Sequence, residues 1–451
     1  MDKADLIIRA KYVITMANPL IIEDGAVAID NGLVKAVGRA SDVLSQYRGE
    51  GVINRDRHIL MPGLIDTHTH TQQVLLRSFI NDERLALPPL WTKLLIPFEE
   101  LLNDDLTYLS SLMSVTAMAK NGITYFIEAG APRPRELVKA INEVGIRGVV
   151  TPSTFNVRGD EIIDADDVIR GIEELLPEVN DKVRVWCSIR QVMMVTEDLL
   201  LKAKDFCLNR GLGITYHLGE YQGEVDYALT KYGIRPLEVF DKLGLTLIRP
   251  TVIAHAIYLS SRERTIIRDR GLGIAWCPTV DSIAMGPHWL PMFNDVLFGF
   301  GSDGGAFTSL DLLHETKIAK AVGKALTVGI TYDKSSFNSI TMLRALTGWG
   351  GLLVGDNVGA IKEGFKADLI TLRLNDTRAL PAYDPVESVV SFLGGHDVND
   401  TLVGGRFVVR DGKLISTNED DIIEKLYAVM PSVNEKLNNM KHGLFNPILH
   451  T

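Results

Sequence analysis

Two histidines separated by a single residue stand at the end of an apolar segment, where residues 62–70 read PGLIDTHTH. Side chains two positions apart on a β-strand point to the same face, so His68 and His70 are predicted to project together from the end of one strand. Two converging imidazoles are typical ligands of a transition metal. For this segment taken alone, the alternative interpretation is a pair of half-buried structural histidines.

Later segments of the same strand-like, apolar character also end in residues that can bind a metal or transfer a proton. These residues are His217, Glu220 three positions after it, His255 and Asp303. Counting His68 and His70, four of the chain's 10 histidines fall at such ends, a placement that chance explains poorly. The sequence therefore predicts that these side chains converge on one site.

The residue types in this set suit a mononuclear metal centre. Three imidazoles and one carboxylate suit Zn²⁺, with Fe²⁺ as the alternative, and leave one coordination position open for water. The metal lowers the pKa of that water towards about 7 and so supplies hydroxide near neutral pH. A second metal would need a bridging group, often a carboxylated lysine at the end of strand four, and residues 183–190 contain no lysine. One metal ion is therefore predicted.

Three of these residues have more than one possible role. Glu220 can carry a proton from the water to a leaving nitrogen, as general base and then general acid, whereas its alternative is a solvated loop glutamate. His255 is either a further metal ligand or a group that polarises the attacking water. Asp303 either binds the metal or accepts a proton from the water, and its alternative is a turn residue in a glycine-rich loop.

Regular alternation of strand-like and helical segments surrounds these residues. The strand that ends in the paired histidines is the first of eight, and the others are predicted at 123–128, 148–152, 183–189, 213–217, 251–255, 273–277 and 297–302. Helical segments include 90–99, 104–120, 135–143, 197–209, 235–242 and 261–270. This alternation, over about 250 residues, favours an α/β fold with a (β/α)₈ barrel of the TIM type, in which catalytic residues lie at the C-terminal ends of the strands. A doubly wound open sheet is the alternative, and no dinucleotide fingerprint supports it.

The two ends of the chain have β character instead. Residues 1–60 read as short strands without a helical period, with a hairpin-type turn at Asp30-Asn31-Gly32, and residues 358–415 again read as strands and turns. The simplest account is one β-sandwich domain assembled from both ends beside the barrel. The predicted division is 1–60 and 358–415 for the sandwich, 61–357 for the barrel, and 416–451 for a C-terminal helix and tail.

The composition argues against several classes of protein. The 451 residues are 46% hydrophobic and 23% charged, which is ordinary for a soluble globular protein. A net charge of -10 without a basic stripe argues against nucleic-acid binding. No apolar run reaches the ~18 residues needed to span a bilayer, so no membrane association is expected. Three widely spaced cysteines and an N-terminus without a signal peptide predict a cytoplasmic location.

The order of these motifs resembles the amidohydrolase superfamily over nearly the whole chain. HxH, then HxxE, then a single His and finally Ser-Asp are similar to its mononuclear branch. That branch includes guanine, cytosine and methylthioadenosine or S-adenosylhomocysteine deaminases as well as triazine hydrolases. The resemblance implies a (β/α)₈ barrel with a composite β-sandwich and a homo-oligomer, a dimer or larger. It implies metal ligands at His68, His70, His217 and Asp303, and catalytic roles for Glu220, His255 and Asp303.

Five further residues are candidates for substrate binding: Gln72, Gln73, Trp91, Arg190 and His288. Guanine deaminases carry a Gln shortly after HxH and an Arg after strand four, and the Gln pair and Arg190 match these positions. Planar amide and guanidinium groups suit the edge of a purine-like heterocycle, and the alternatives are a solvated Gln and a surface Arg. Trp91 either covers the pocket or packs in the core, and His288 either recognises part of the substrate or packs.

Two departures from the resembled pattern concern the substrate. The family often reads His-Cys-Pro-x-Ser-Asn after strand seven, whereas residues 276–281 read WCPTVD here. Adenosine-type deaminases usually carry a His where Arg190 stands and paired Asn after the Asp of strand eight, where this chain has residues 306–309, AFTS. Neither a nucleoside nor guanine is therefore singled out as the substrate.

The expected function is hydrolytic deamination of a purine-like or other aromatic N-heterocycle. Metal-bound hydroxide attacks the amino-bearing ring carbon, and ammonia leaves. Two alternatives use the same site: a triazine-type chlorohydrolase or amine hydrolase, and a methylthioadenosine/S-adenosylhomocysteine deaminase. A binding protein that has lost catalysis is a further alternative, against which the complete ligand set with Glu220 argues.

Overall fold

Eight parallel strands carry the candidate site. The computed structural model describes residues 1–86, 90–292 and 295–444, and within them the barrel strands follow one another in chain order. Strands three, four and eight are each divided into two short segments. The barrel strands, from one to eight, are Leu64–His70, Ile123–Glu128, Arg147–Val150 with Ser153–Thr154, Val183–Val185 with Cys187–Ile189, Ile214–Leu218, Thr251–His255, Gly273–Trp276, and Leu297–Phe300 with Asp303–Gly304.

The divided strands join two sheets into one barrel. The first sheet contains the first segments of strands four and three, then strands two and one, and the second segment of strand eight. The other sheet runs from the first segment of strand eight through strands seven, six and five to the second segments of four and three. Strand eight pairs with strand one in parallel, with Asp303 opposite Thr69. The predicted (β/α)₈ barrel is confirmed.

Helices connect most of the barrel strands. The helix Ser261–Arg270 illustrates how the local sequence determines where a helix begins and ends. At its start, the Ser260 side chain accepts a hydrogen bond from the Glu263 backbone N–H at 3.2 Å, and at its end Gly271 adopts a φ of 61°. Among the described residues between strands seven and eight, the helical segments are short. The α-helices of the barrel region are Asp82–Leu85, Ile96–Leu101, Asp104–Lys120, Pro134–Val144, Ala165–Glu173, Glu197–Arg210, Gln222–Tyr232, Pro236–Leu243, Ser261–Arg270, Pro278–Val280, Leu312–Thr331, Ser339–Leu346 and Gly348–Val354.

Short 3₁₀ and π turns occupy many of the loops, including those that follow barrel strands one, four and seven. The π-helical turns are Trp91–Leu95 and Asp281–Met285, and the 3₁₀ turns are Thr71–Leu76, Leu176–Glu178, Val192–Met194, Leu245–Leu247, Leu290–Met292 and Gly395–Asp397. Two two-residue strands, Val157–Arg158 and Glu161–Ile162, form a small hairpin. The residues after strands one, four and seven are therefore held in compact turns rather than in extended loops.

Large side chains fill the barrel interior below the site. Trp186, from the link between the two segments of strand four, is fully buried with Tyr125 and Val252, and Leu353 of the helix Gly348–Val354 packs against the same cluster. A Cβ atom at position 213 would lie 2.4 Å from the Trp186 ring, so only glycine fits there. The barrel interior around Trp186 is thus a packed core.

The two chain ends form one eight-stranded mixed sheet beside the barrel. Its strands are Asp2–Ile14, Ile21–Asp30, Leu33–Arg39, Tyr47–Pro62, Leu369–Arg373, Val398–Val403, Arg406–Arg410 and Lys413–Leu414. A bridge between Leu33 and Lys366 brings its two halves face to face over a shared core that contains Val27 and Leu369. The predicted composite β-sandwich is confirmed, whereas the domain boundaries at residues 60, 357 and 415 stay a prediction.

Two details of the terminal segments differ from the expectation. Residues 1–60 were expected to contain strands only, but Ala40–Gln46 is a helix, too short at seven residues to show a period. Residues 359–364, expected as strand and turn, form turns alone. The hairpin turn at Asn31 and Gly32 is confirmed, with φ of 50° and 75°.

A long helix, Glu419–Leu444, follows the sheet and packs against the helix Asp104–Lys120. A further helix, Pro385–Ser391, precedes the C-terminal strands of the sheet. Among all helices of the described residues, none combines the length and apolar character of a membrane-spanning segment.

Candidate metal centre and active site

The strand ends bring three imidazoles and a carboxylate into contact. His68 and His70 end strand one, His217 lies next to the end of strand five, and Asp303 opens the second segment of strand eight. His70 Nε2 lies 3.2 Å from His217 Nε2. Asp303 Oδ1 lies 3.4 Å from His68 Nε2 and 3.6 Å from His70 Nε2. All four side chains are buried, so the group forms a compact cluster of donors.

These separations match the edges of a metal coordination shell. With metal–nitrogen bonds of about 2.0–2.1 Å in tetrahedral geometry, neighbouring ligand atoms lie about 3.3–3.4 Å apart. The distances in the cluster, 3.2 to 3.6 Å, agree with that spacing. Among the described residues, none forms a hydrogen bond with the buried His68 Nε2, and a bound cation would satisfy this atom. The cluster therefore fits one divalent metal ion.

Burial controls the protonation of these donors. It lowers the pKa of His70 and of His217 well below the ordinary value, so both imidazoles are neutral. Burial by itself would raise the pKa of Asp303, but the neighbouring His68 and the charge of His255 hold it well below its usual range. Neutral imidazoles and an ionised carboxylate are the forms that bind a divalent cation.

The backbone is strained at two of these strand ends. His255 has φ of 66° and Asp303 has φ of 60°, in the left-handed region that non-glycine residues rarely adopt. Such conformations cost on the order of 1–3 kcal/mol each and persist only where the surrounding packing imposes them. At these two positions, the placement of the side chain therefore outweighs the conformational preference of the backbone.

His255 stands beside the cluster and contacts a second carboxylate. Its ring centroid lies 5.1 Å from that of His68 and 5.6 Å from that of His217. On the other side, its Nδ1 lies 2.8 Å from Asp281 Oδ1. Burial lowers the pKa of His255, but the charge and hydrogen bond of Asp281 outweigh burial and raise that pKa to about 10. Burial also raises the pKa of Asp281, against the opposing effect of His255.

Glu220 lines the same cavity as His217 and His255. Its Oε2 accepts a hydrogen bond from Gln191 Nε2, and its backbone N–H donates to Glu224 Oε2 at 3.1 Å. Burial raises the pKa of Glu220 above its ordinary value. A buried carboxyl group with a raised pKa can both accept and return a proton near neutral pH.

The cluster opens into a cavity of about 150 Å³. Besides His70, His217 and Asp303 of the cluster, together with Glu220 and His255, polar groups of Arg190 and Gln191 contribute to its wall. The rest of the wall is mainly apolar and includes Leu90, Trp91, Leu95, Tyr221, Met285 and Phe307. An apolar wall with a few placed polar groups suits a flat, largely apolar ring.

Two of the five residues predicted to bind substrate line this cavity, Trp91 and Arg190. The other three lie outside its wall and are engaged elsewhere. Gln72 Nε2 donates to the Arg133 carbonyl oxygen at 3.1 Å, and Gln73 Nε2 donates to Glu99 Oε1 at 2.7 Å. The two glutamines thus brace the turn after strand one, and their contact with substrate stays a prediction.

His288 is likewise committed to the backbone. Its Nε2 donates to the His255 carbonyl oxygen at 2.6 Å, and its Nδ1 accepts a hydrogen bond from the Leu290 backbone N–H at 3.1 Å. Burial lowers the pKa of His288 to about 3, so the ring stays neutral. Both ring nitrogens are used, so His288 holds the His255 backbone, and its contact with substrate stays a prediction.

Three residues of the site were not among the predicted ones: Glu99, Gln191 and Asp281. Glu99 Oε1 also accepts from Arg190 Nη2 at 3.3 Å, and so holds one side of that guanidinium. Asp281 lies in the segment that departs from the resembled pattern, which was the available signal. Glu99 lies in the insertion after strand one, and only its contacts reveal it.

Comparisons with known proteins agree with this geometry. A protein named 5-methylthioadenosine/S-adenosylhomocysteine deaminase from Thermodesulfovibrio yellowstonii is 28% identical over 437 residues, 93% of this chain and 96% of the relative. The fold resembles an adenosine deaminase from Xanthomonas campestris with bound zinc, with a TM-score of 0.88, 23% identity, and coverage of 97% of this chain and 99% of the other. It also resembles the atrazine chlorohydrolase TrzN of Arthrobacter aurescens TC1 complexed with zinc, with a TM-score of 0.84, 19% identity, and coverage of 94% and 100%.

The match to a family model covers most of the chain. The model of the amidohydrolase family aligns with residues 59–408, from the last strand before the barrel to the returning strands of the sheet. This range contains all residues of the cluster together with Glu220, His255 and Asp281. The chain belongs to the amidohydrolase family.

Proposed function

We propose that this chain is a hydrolytic deaminase of a purine-like or other aromatic N-heterocycle and that it uses one zinc ion. The observation that carries this proposal is the position of Glu220, a buried carboxyl group with a raised pKa, in the same cavity as the metal-binding cluster. The deaminase names of sequence relatives support the same reaction class.

We assign the metal to His68, His70, His217 and Asp303. Their spacing and protonation suit Zn²⁺, and similar folds contain zinc. When bound, the ion supplies Lewis-acid activation of a water molecule for attack on the ring. Metal analysis of the purified protein tests this assignment: one zinc per chain supports it, and two metals per chain contradict it.

The chain's own residues move the protons. Glu220 accepts a proton from the attacking water and delivers it to the amino nitrogen, which leaves as ammonia. Gln191 holds one oxygen of this carboxylate and so limits its rotation. Asp281 raises the pKa of His255 to about 10, so both ring nitrogens carry a hydrogen: Nδ1–H bonds Asp281, and Nε2–H stabilises the negative charge that develops during the attack. The sum of these steps converts an amino heterocycle and water into an oxo heterocycle and ammonia.

Substrate binding is assigned to the cavity wall. Trp91 contacts the face of the ring, and Arg190, whose guanidinium Glu99 holds, donates to an acceptor at the ring edge. A second candidate function is deamination of 5-methylthioadenosine or S-adenosylhomocysteine, which the 28% identical relative favours because it spans 93% of this chain.

Product analysis tests the proposed function. Metal-replete protein is incubated with guanine, adenine, cytosine, adenosine, methylthioadenosine, S-adenosylhomocysteine, pterins, aminotriazines and chlorotriazines, and ammonia, halide and alkylamine are measured separately. Ammonia release from at least one member supports deamination, and the preferred member identifies the ring. Halide or alkylamine as the main product would replace the proposal by a triazine-type hydrolase.

We also propose a cytoplasmic homo-oligomer. Large apolar side chains that are strongly exposed, Tyr332, Tyr383 and Phe392, favour association, and all three cysteines are free, as in a reducing compartment. Light scattering tests the assembly: a mass of 49.8 kDa, that of one chain, would contradict it.

A further inference from the structure

We propose that Asp281 is a positioning residue that holds a hydrogen on His255 Nδ1 and fixes the orientation of the imidazole. Asp281 stands where the resembled family often carries Asn. The consequence for turnover rests on the proposed function, because it requires that His255 acts on the reacting groups. The consequence for the imidazole itself does not.

Both oxygens of Asp281 accept hydrogen bonds. Oδ1 lies 2.8 Å from His255 Nδ1, and Oδ2 accepts from the Cys277 backbone N–H at 3.2 Å. The Asp281 backbone N–H donates in turn to the Cys277 carbonyl oxygen at 2.9 Å. The side chains of Asp281 and His255 are each only 1% exposed. The carboxylate is therefore held from two sides and cannot rotate without losing a buried hydrogen bond.

This arrangement keeps a hydrogen on Nδ1 of the imidazole. An ionised carboxylate is an acceptor only, so the hydrogen atom between the two groups belongs to His255 Nδ1. The two nitrogens of an imidazole point in diverging directions, so Nε2 is the nitrogen left for the cavity that His255 lines. Without the carboxylate, a neutral imidazole can carry its hydrogen on either nitrogen. One of its two flipped ring orientations then turns Nδ1 instead of Nε2 towards the cavity.

The position of the His255 ring depends on Asp281 more than the position of the His255 backbone does. The His255 carbonyl oxygen accepts from His288 Nε2 at 2.6 Å, so the strained main chain has its own anchor. Outer contacts of this kind fix ring orientation in metal sites, and their loss typically costs about 10–100-fold in activity or metal affinity. We therefore expect a loss of similar size when the carboxylate is replaced.

The variant Asp281→Asn can keep only one of the two hydrogen bonds, and it hardly changes the shape of the side chain. An asparagine has one acceptor oxygen, whereas Asp281 accepts two hydrogen bonds. If its oxygen stays with Cys277, its NH₂ group faces His255 Nδ1 and forces the hydrogen to Nε2. If its oxygen stays with His255, the Cys277 N–H is left unpaired. Both outcomes disturb the imidazole or its support.

Glu315→Gln is the matched control. Glu315 is a buried carboxylate that also accepts two hydrogen bonds from the same loop, from the Thr279 backbone N–H at 2.9 Å and its hydroxyl at 2.8 Å. Its replacement also removes one acceptor from a buried pair, but its hydrogen bonds run to Thr279 and not to His255. A general loosening of the loop would affect both variants alike.

The test combines nuclear magnetic resonance with kinetics on the metal-loaded full chain. Long-range nitrogen–proton correlation spectra of ¹⁵N-histidine-labelled protein report the tautomer of His255. The expected result is a hydrogen on Nδ1 in the wild type and in Glu315→Gln, and its loss or displacement in Asp281→Asn. We expect kcat of Asp281→Asn to fall about 10–100-fold with KM within about threefold, and Glu315→Gln to stay within about threefold.

Two results would overturn the proposal. A wild-type spectrum without a hydrogen on His255 Nδ1 does so without any variant, even if Asp281→Asn fails to fold. The proposal is also overturned if Asp281→Asn leaves the His255 signal unchanged and keeps kcat within about threefold of the wild type. If the spectra follow the expectation but no ammonia is released from any substrate, the positioning role stands and the proposed function fails.

Discussion

Replacing Glu220 by Gln removes a proton-carrying group and preserves its local contacts. The amide oxygen of the new side chain can accept the hydrogen bond from Gln191 Nε2 that Glu220 Oε2 accepts. The backbone hydrogen bond to Glu224, 3.1 Å long, does not involve the side chain at position 220. We therefore expect Glu220→Gln to fold and to bind metal as the wild type does, so that any loss of turnover reports the proton transfer alone.

The expected loss is large. Proton transfer by one positioned side chain contributes about 10²–10⁴-fold to the rate, which corresponds to about 3–5 kcal/mol of activation free energy. Glu220 is 8% exposed, so bulk water has little access to replace it. We expect kcat for ammonia release to fall at least about 10³-fold, with the metal content and the unfolding temperature unchanged.

The assay follows ammonia release at equal metal content for wild type, Glu220→Gln and Glu224→Gln. Glu224 is a suitable control because burial raises its pKa to about 8, so at pH 7 its carboxyl group is mostly protonated and a neutral amide replaces a neutral group. We expect kcat of Glu224→Gln within about tenfold of wild type. A Glu220→Gln protein within tenfold of wild type would refute the proton-transfer role.

Three further predictions concern the metal, the joint between the domains and pH. Chelation should abolish activity and lower the unfolding temperature, and added Zn²⁺ should restore both; an unfolding temperature that does not respond would contradict the metal site. Asp368→Asn breaks the buried ion pair between Arg147 Nε and Asp368 Oδ2, 2.7 Å apart, and should lower the free energy of unfolding in urea titrations by about 3–5 kcal/mol, whereas a loss under about 1 kcal/mol would contradict the pair's role. The pKa of His288, about 3 when folded, lies below that of the unfolded chain, so the unfolded state binds more protons between pH 3 and about 6.5. Wild-type stability should therefore fall relative to His288→Gln as pH decreases from 7 to 5, and a constant difference between the two proteins would contradict this.

The convergence of the cluster was predictable because it depends on local rules. The period of two places His68 and His70 on one face of a strand, and parallel barrel strands end at the same rim. Histidines at the ends of strands five and six therefore had to approach that rim once the alternation of strands and helices was recognised. The division of strands three, four and eight was not predictable in this way, since it reflects how the two sheets join.

The supporting contacts of the site were beyond such rules. Asp281 reaches His255 across 26 positions of sequence, and Glu99 reaches Arg190 across 91. Each contact depends on the path of an irregular loop, and no period or spacing specifies that path. For the same reason the spacing did not reveal that Gln72 bonds the Arg133 carbonyl oxygen or that Gln73 bonds Glu99.

The most direct test of the central claim is the fate of the water oxygen. Metal-replete protein is supplied in ¹⁸O-water with the preferred amino heterocycle, and product and ammonia are measured together. Hydrolytic deamination predicts one ¹⁸O atom in the ring product for each ammonia released. Ammonia without label in the product, or labelled product with halide or alkylamine in place of ammonia, would contradict it.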